Sequence, residues 1–239
     1  MISSYLTSEL APGLWRWTVP HPSWTPERAG PGGWERSVGC IYLEAADAVV
    51  LIDPLVPPAA TPDARRFWSA LDRDVERVAK PVVVLVGNAY HGRSADAICE
   101  RYGERCTVSI HVHADARARI AAATTSFGDG ASLPGAVRAH AIAGLDEGET
   151  AFWISAHRAL VFADAVIGAG EGNVRVAPLS WAAEDAQAAA RYRTGFRASL
   201  DRLVRLDPVR LLPSHGEPVL AGGAAALARA VAAPAWGDE

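Results

Sequence analysis

The chain is poor in features that mark several protein classes. Its 239 residues contain only three cysteines, Cys40, Cys99 and Cys106. They have no Cys-x-x-Cys spacing, and any disulfide scheme leaves one unpaired. Buried free thiols are therefore expected, and a thiolate metal site is not. No window approaches the roughly 18 apolar residues that a membrane-spanning helix needs. The first residues, MISSYLTSEL, carry neither a basic segment nor the apolar run of a secretory signal. A cytoplasmic protein without a membrane partner is the expectation. Positive charge is also scarce: the formal charge is −4 and the pI is near 6.0, with no run of like charges. A nucleic-acid partner is not expected.

What is present suits a soluble α/β protein. With 50% hydrophobic and 21% charged residues, the chain has enough apolar surface for a single domain over residues 1–239. Leu14–Val19 reads as a strand. The loop that follows, HPSWTPERAGPGGWER, has four prolines and three glycines across residues 20–33 and carries Trp24 and Trp34. Aromatics on so long a loop suggest a flap packed on the body or over a pocket. Ser37–Glu44 and Ala48–Ile52 read as paired strands ending in Asp53-Pro54. Thr61-Pro62 is a helix start, with Phe67, Leu71, Val75 and Val78 at helical spacing. Val82–Val86 is five apolar residues, four of them β-branched, as in a strand buried on both faces. Ser94 is expected to cap a second helix that runs to Gly103, before a strand over Thr107–His113.

From Val137 the pattern changes to consecutive strands, over Val137–Ile142, Thr150–Ser155 and Ala159–Phe162. A long amphipathic helix is expected over Ala182–Leu206, ended by Pro208. Val209–Leu212 reads as a last buried strand, and an alanine-rich helix closes the chain.

Three features occur in order: LIDP at 51–54, a polar turn at 87–93 after a buried strand, and LVFADA at 160–165 followed by LLPSHG at 211–216. Together, over residues 14–219, they resemble the metallo-β-lactamase superfamily. The resemblance implies an α/β fold, an αββα four-layer sandwich of two mixed β-sheets flanked by helices. It also implies one or two metal ions, commonly zinc, on a His-x-His-x-Asp-His turn, a later Gly-His, a bridging Asp and a final His. Laid over residues 88–93, that turn has Asn88 and Tyr90 at the first two histidines, Gly92 at the aspartate and Arg93 at the third histidine. Leu145 stands at the Gly-His position. Only Asp164 and His215 keep ligand identity, so the usual dinuclear zinc site is not expected. With His91 swung inward, His91, Asp164 and His215 would hold a single zinc or iron ion with an open position. The alternative for His91 is a solvent-facing turn residue.

The resemblance implies a hydrolase of an ester, thioester, lactone or amide with a mononuclear or absent metal. His215 or His91 would activate water, and Tyr90 would donate to a substrate oxygen. Arg93, Asn88, Trp24 and His21 are candidates to bind a small, anionic substrate. Asp53 would hold the turn from behind the ligands. A non-catalytic ligand-binding protein and a metal-independent lyase or isomerase are the alternatives. Because a guanidinium is a fixed charge, an Arg93–Asp164 ion pair is expected in place of the metal. His111 and His113, on one side of their strand, are either a metal pair or ordinary strand residues. An exposed apolar face on the alanine-rich terminal helix would serve a homodimer.

Overall fold

The computed structural model describes residues 5–30, 32–145, 147–182 and 186–233. Strands β1 (Leu6–Ala11), β2 (Leu14–Pro20), β3 (Ser37–Glu44), β4 (Val49–Ile52), β5 (Val82–Val86), β6 (Val108–His113) and β7 (Thr125–Phe127) form one sheet in sequential order. Pairing is antiparallel from β1 to β4 and parallel from β4 to β7. The change of direction follows the insertion of α1 (Pro62–Val78) and α2 (Ala95–Tyr102), the crossover helices that parallel neighbours require. A second sheet contains β8 (Ser132–Leu133), β9 (Val137–Ala141), β10 (Thr150–Ile154), β11 (Ala159–Phe162) and, parallel to β11, the later β14 (Arg210–Pro213). Between them in sequence, β12 (Val166–Gly170) and β13 (Asn173–Val176) form a hairpin.

Alternation along the strands builds the layers. Val82, Val84 and Val86 of β5 pack with Phe67, Leu71 and Val75 of α1 and with Ile98 and Tyr102 of α2. The intervening Val83 and Leu85 point the other way, into a core shared with Phe152, Ile154 and Val161 of the second sheet. That sheet's outer face, with Leu160, Phe162 and Leu211, is covered by helical residues Tyr192, Phe196, Leu200, Leu203 and Leu227. The result is helix, sheet, sheet, helix, the expected four-layer α/β sandwich with two large sheets.

Local chemistry accounts for several ends. The Thr61 hydroxyl accepts from the Ala64 amide 3.1 Å away, as the Thr-Pro start predicts. Ser94 does not cap its helix; its hydroxyl accepts from Val56 N at 3.0 Å, fastening the turn after β4 to the start of α2. The expected long helix is α3 (Leu179–Ala182), α4 (Ala186–Arg191), a π turn over Tyr192–Phe196 and α5 (Arg197–Val204), with residues 183–185 outside the described set. The wide turn lets the Tyr192 and Phe196 rings stack at 4.7 Å with both buried. The final helix, α6 (Gly223–Ala232), turns Ala226, Leu227, Ala230 and Val231 into its own sheet. The apolar face expected to be exposed for a homodimer is thus covered within the chain. Cys40 is buried and free, as expected, whereas Cys99 and Cys106 are free but only half-buried. No helix among the described residues is long and apolar enough to cross a membrane.

Leu85 fills the space between the sheets with no exposed surface, and Leu6 lies on the solvent side of an edge strand, 65% exposed. Leu85→Ala is expected to lower the unfolding free energy by about 2–5 kcal/mol in urea denaturation. Leu6→Ala should change it by less than about 0.5 kcal/mol.

Candidate functional site

Four strand ends meet at one edge of the sandwich. Strands β4 and β5 are parallel in one sheet and β11 and β14 in the other, so their carboxyl ends release Asp53, the turn at 87–93, Asp164 and His215 close together. The β14 turn is stitched to the first sheet by Gly39 N donating to Ser214 O at 2.6 Å and by a bridge between Val38 and His215. Gly168 N donates to His215 O at 2.9 Å, and buried Arg16 donates to Gly216 O at 2.8 Å. Gly87 is enclosed by Ala163 and the Asp53 carboxyl. A Cβ there would lie 2.8 Å from both the Ala163 Cβ and an Asp53 carboxylate oxygen, so only glycine fits.

His91, Asp164 and His215 each offer a ligand atom, and these atoms lie within 4.8 Å of one another. Asp164 Oδ1 is 3.0 Å from His215 Nε2 and 3.4 Å from His91 Nε2. Although buried, Oδ1 makes no hydrogen bond of good geometry with any described residue. His91 is 3% exposed, so the solvent-facing alternative does not hold. Its Nδ1 is 2.8 Å from Asp53 Oδ2, and Asp53 Oδ1 accepts from Gly87 N at 2.7 Å. Asp53 therefore joins the start of the turn to the His91 ring.

The expected Arg93–Asp164 ion pair is not formed. Arg93 turns toward His91 instead: Nη2 lies 2.8 Å from His91 Nε2 and 3.0 Å from Ser214 Oγ, and Nη1 is 3.3 Å from Asp53 O. Asp164 takes its hydrogen bond from Asn88 Nδ2, at 2.8 Å from Oδ2, and its charge partners are the two imidazoles. The pairing differs from the expectation because the direction of a side chain in a turn depends on neighbours distant in sequence.

Burial opposes ionisation of Asp164, but His91 and His215 outweigh it and hold the carboxyl well below the usual carboxylate range. Burial keeps His215 below its ordinary range despite Asp164. For His91, burial and Arg93 act downward while Asp53 and Asp164 draw it up to about 9. A proton on Nε2 would then face the Arg93 N–H at 2.8 Å, and two donors do not share so short a contact. The short contact sets His91 Nε2 against Arg93 on the cleft side, with Nδ1 against Asp53 on the other.

Glu149 has no counterpart in the sequence reading. It is buried at the start of β10, with Oε1 accepting from the Asp164 and Ala165 amides at 3.0 and 2.8 Å and Oε2 from Asn88 Nδ2 at 2.9 Å. Burial and the Asp164 charge push its carboxyl up to about 8. The available signal was an acid immediately before a buried strand, in the segment where Leu145 was compared with the family's Gly-His. Leu145 itself packs against the outer core of the second sheet.

A cleft of about 400 Å³ opens over the cluster, lined by His21, Arg28, Trp34, Tyr90, Arg93 and Trp181, among others. The proline-rich loop is its flap: the Trp34 ring lies 4.8 Å from His215 and 5.1 Å from His21. The loop is tied down by Arg175 to Gly33 O and by Trp181 Nε1 to Gly32 O. His21 lines the cleft, and burial together with the nearby Arg93 lowers it to about 4, so it is neutral there. Trp24, expected to bind substrate, instead supports the flap by donating to Trp34 O at 3.0 Å. Asn88 is also displaced from its expected place at the substrate: it is fully buried, with its amide directed to Glu149 and Asp164. Tyr90 is 63% exposed at the rim. His111 and His113 belong to no group of three or more ligating side chains among the described residues; His111 contacts Ser109 Oγ, and His113 Nδ1 accepts from Asp115 N.

The donor set suits one metal ion and not two. Two imidazoles and a carboxylate converge, the Nδ1–H of His91 is held by a carboxylate, and Asp164 Oδ1 is left without a hydrogen bond. At the remaining family positions, a buried amide, an exposed phenol, a glycine, a guanidinium and a leucine offer nothing comparable.

No family model matches the sequence, and no curated protein does. Solved structures do match in fold. A metallo-β-lactamase family protein from Thermus thermophilus has 19% identity and a TM-score of 0.60, covering 94% of this chain and 80% of that one. A metallo-β-lactamase from Hirschia baltica has 13% identity and a TM-score of 0.63, with 96% and 97% covered. A Pseudomonas aeruginosa metallo-β-lactamase in a mono-zinc form has 10% identity and a TM-score of 0.63, with 96% of each chain covered. The chain has the metallo-β-lactamase fold.

Glu149 supplies a pH test. Its folded pKa of about 8 exceeds the ordinary 4.5, so its contribution to stability is complete below 4.5 and is lost as pH rises toward 8. The unfolding free energy of the wild type relative to Glu149→Gln is expected to fall steadily across that window. A flat difference in denaturation measured at several pH values would show that Glu149 is ionised throughout.

Proposed function

We propose that this protein is a hydrolase acting on an ester, thioester, lactone or amide bond of a small anionic substrate, at a site reduced to a single metal position. The observation that carries the reading is the convergence of His91, Asp164 and His215 within 4.8 Å, with Asp164 Oδ1 lying 3.0 and 3.4 Å from the Nε2 atoms of His215 and His91.

His91, Asp164 and His215 would hold the ion. When bound, it supplies an acidified water and polarises a carbonyl oxygen. The chain's own residues do the rest. Asp53 keeps the His91 proton on Nδ1. Asn88 and Glu149 fix the Asp164 side chain and backbone so that Oδ1 stays on the cleft side. Arg93 and Tyr90, both in the cleft wall, offer N–H and O–H donors to the oxygen on which charge develops. Arg28 and Arg93 favour a substrate carrying a carboxylate or phosphate, and Trp34 and Trp181 offer flat apolar faces and help exclude water.

A second reading, an anion-binding protein without turnover, draws on the Arg93 contact with His91 Nε2, which occupies a ligand atom with a fixed positive charge. The two readings separate on a panel of chromogenic esters, thioesters, lactones and anilides, assayed with one equivalent of zinc or iron(II). Turnover that falls at least about 100-fold in both His215→Ala and Asp164→Asn is the expected result. Thermal stabilisation by small carboxylates, with no turnover under either metal, would replace the hydrolase with the binding protein.

A further inference from the structure

We propose that Arg93 and the metal ion compete for Nε2 of His91, so that an anionic ligand engaging the Arg93 guanidinium promotes metal binding. This rests on reading His91, Asp164 and His215 as a single-ion position.

Geometry sets the competition. Arg93 Nη2 is 2.8 Å from His91 Nε2, along the lone pair that faces Asp164 and the cleft. That lone pair accepts one partner, an N–H or a cation. A guanidinium beside a dication is also a repulsive neighbour. Metal binding through His91 therefore requires Arg93 to leave.

Arg93 is built to leave. Its remaining side-chain partners are a hydroxyl and a backbone carbonyl, Ser214 Oγ and Asp53 O. Its Nε is buried with no hydrogen bond among the described residues. No described carboxylate lies within ion-pair distance, so its charge is not directly matched by the chain. Its backbone lies in the left-handed region, at φ +32°, which a branchless glycine tolerates and an arginine does not favour. The guanidinium also lines the cleft, where a carboxylate, sulfate or phosphate can reach it. An anion that draws Arg93 outward frees the His91 lone pair and screens the charge. By linkage, metal must strengthen anion binding by the same factor.

The test measures zinc affinity of the full chain by competition with a chromogenic chelator, with sulfate as the anion and constant ionic strength. Arg93→Ala and Arg93→Met are compared with the wild type; methionine keeps the apolar stem, and thermal melting verifies that each variant is folded. Both variants are expected to bind zinc about tenfold more tightly than the wild type. Sulfate should tighten wild-type binding about fivefold and leave both variants unchanged. His91→Ala added to Arg93→Met should remove the gain. Equal zinc affinity of wild type and variants, or a sulfate effect that persists without Arg93, overturns the competition and leaves the single-ion position standing. Absence of zinc binding in all of them overturns both.

Discussion

Everything at this site hangs on the Asp53 carboxylate. One oxygen takes the Gly87 amide and the other the His91 ring, so a residue at the end of β4 fixes both the beginning and the reactive middle of the turn after β5. The contact is possible because parallel pairing of β4 with β5 brings Ile52 opposite Leu85, leaving the two strand ends level. It is tight because residue 87 is glycine, with no room for a side chain between Asp53 and Ala163. Backbone and tautomer are thereby set together: the turn cannot shift without breaking the carboxylate's grip, and the ring cannot rotate without losing its proton acceptor.

Asp164 is supported by a parallel arrangement in the second sheet. Glu149 binds two successive amides at the Asp164 turn, and Asn88 connects both carboxylates to the first sheet. Asn88 thus bridges the seam between the sheets. Its Oδ1 also accepts from the Tyr90 amide, closing the turn on itself. Its amide nitrogen donates to the Glu149 and Asp164 carboxyls at once.

The fold was legible because its signals are local. Thr61-Pro62 starts a helix by capping chemistry, and the five-residue run at Val82–Val86 is a central strand because both of its faces are covered. The hairpin of β12 and β13 was not legible: Gly168 and Gly170 break the apolar pattern, and Gly168 is needed where the backbone of Gly216 and Glu217 passes against it. The site was partly legible. His91, Asp164, His215 and Asp53 could be named from strand ends, but which groups face one another could not. Arg93 bends toward His91 and Ser214, and Glu149 enters from a loop, both decided by contacts across the two sheets. Single-residue identity carries no information about such directions.

The charge at the strand ends explains why the arrangement is economical. The groups that face one another at the strand ends are the Asp53 and Asp164 carboxyls and the Arg93 guanidinium, with Glu149 pushed up to about 8 and His91 drawn up to about 9 beside them. On the proposed competition a dication and an anion each favour the other's binding, because both draw the guanidinium away from His91. Arg93 places a fixed positive charge beside the cluster of His91, Asp164 and His215, in the wall of the cleft that opens over it.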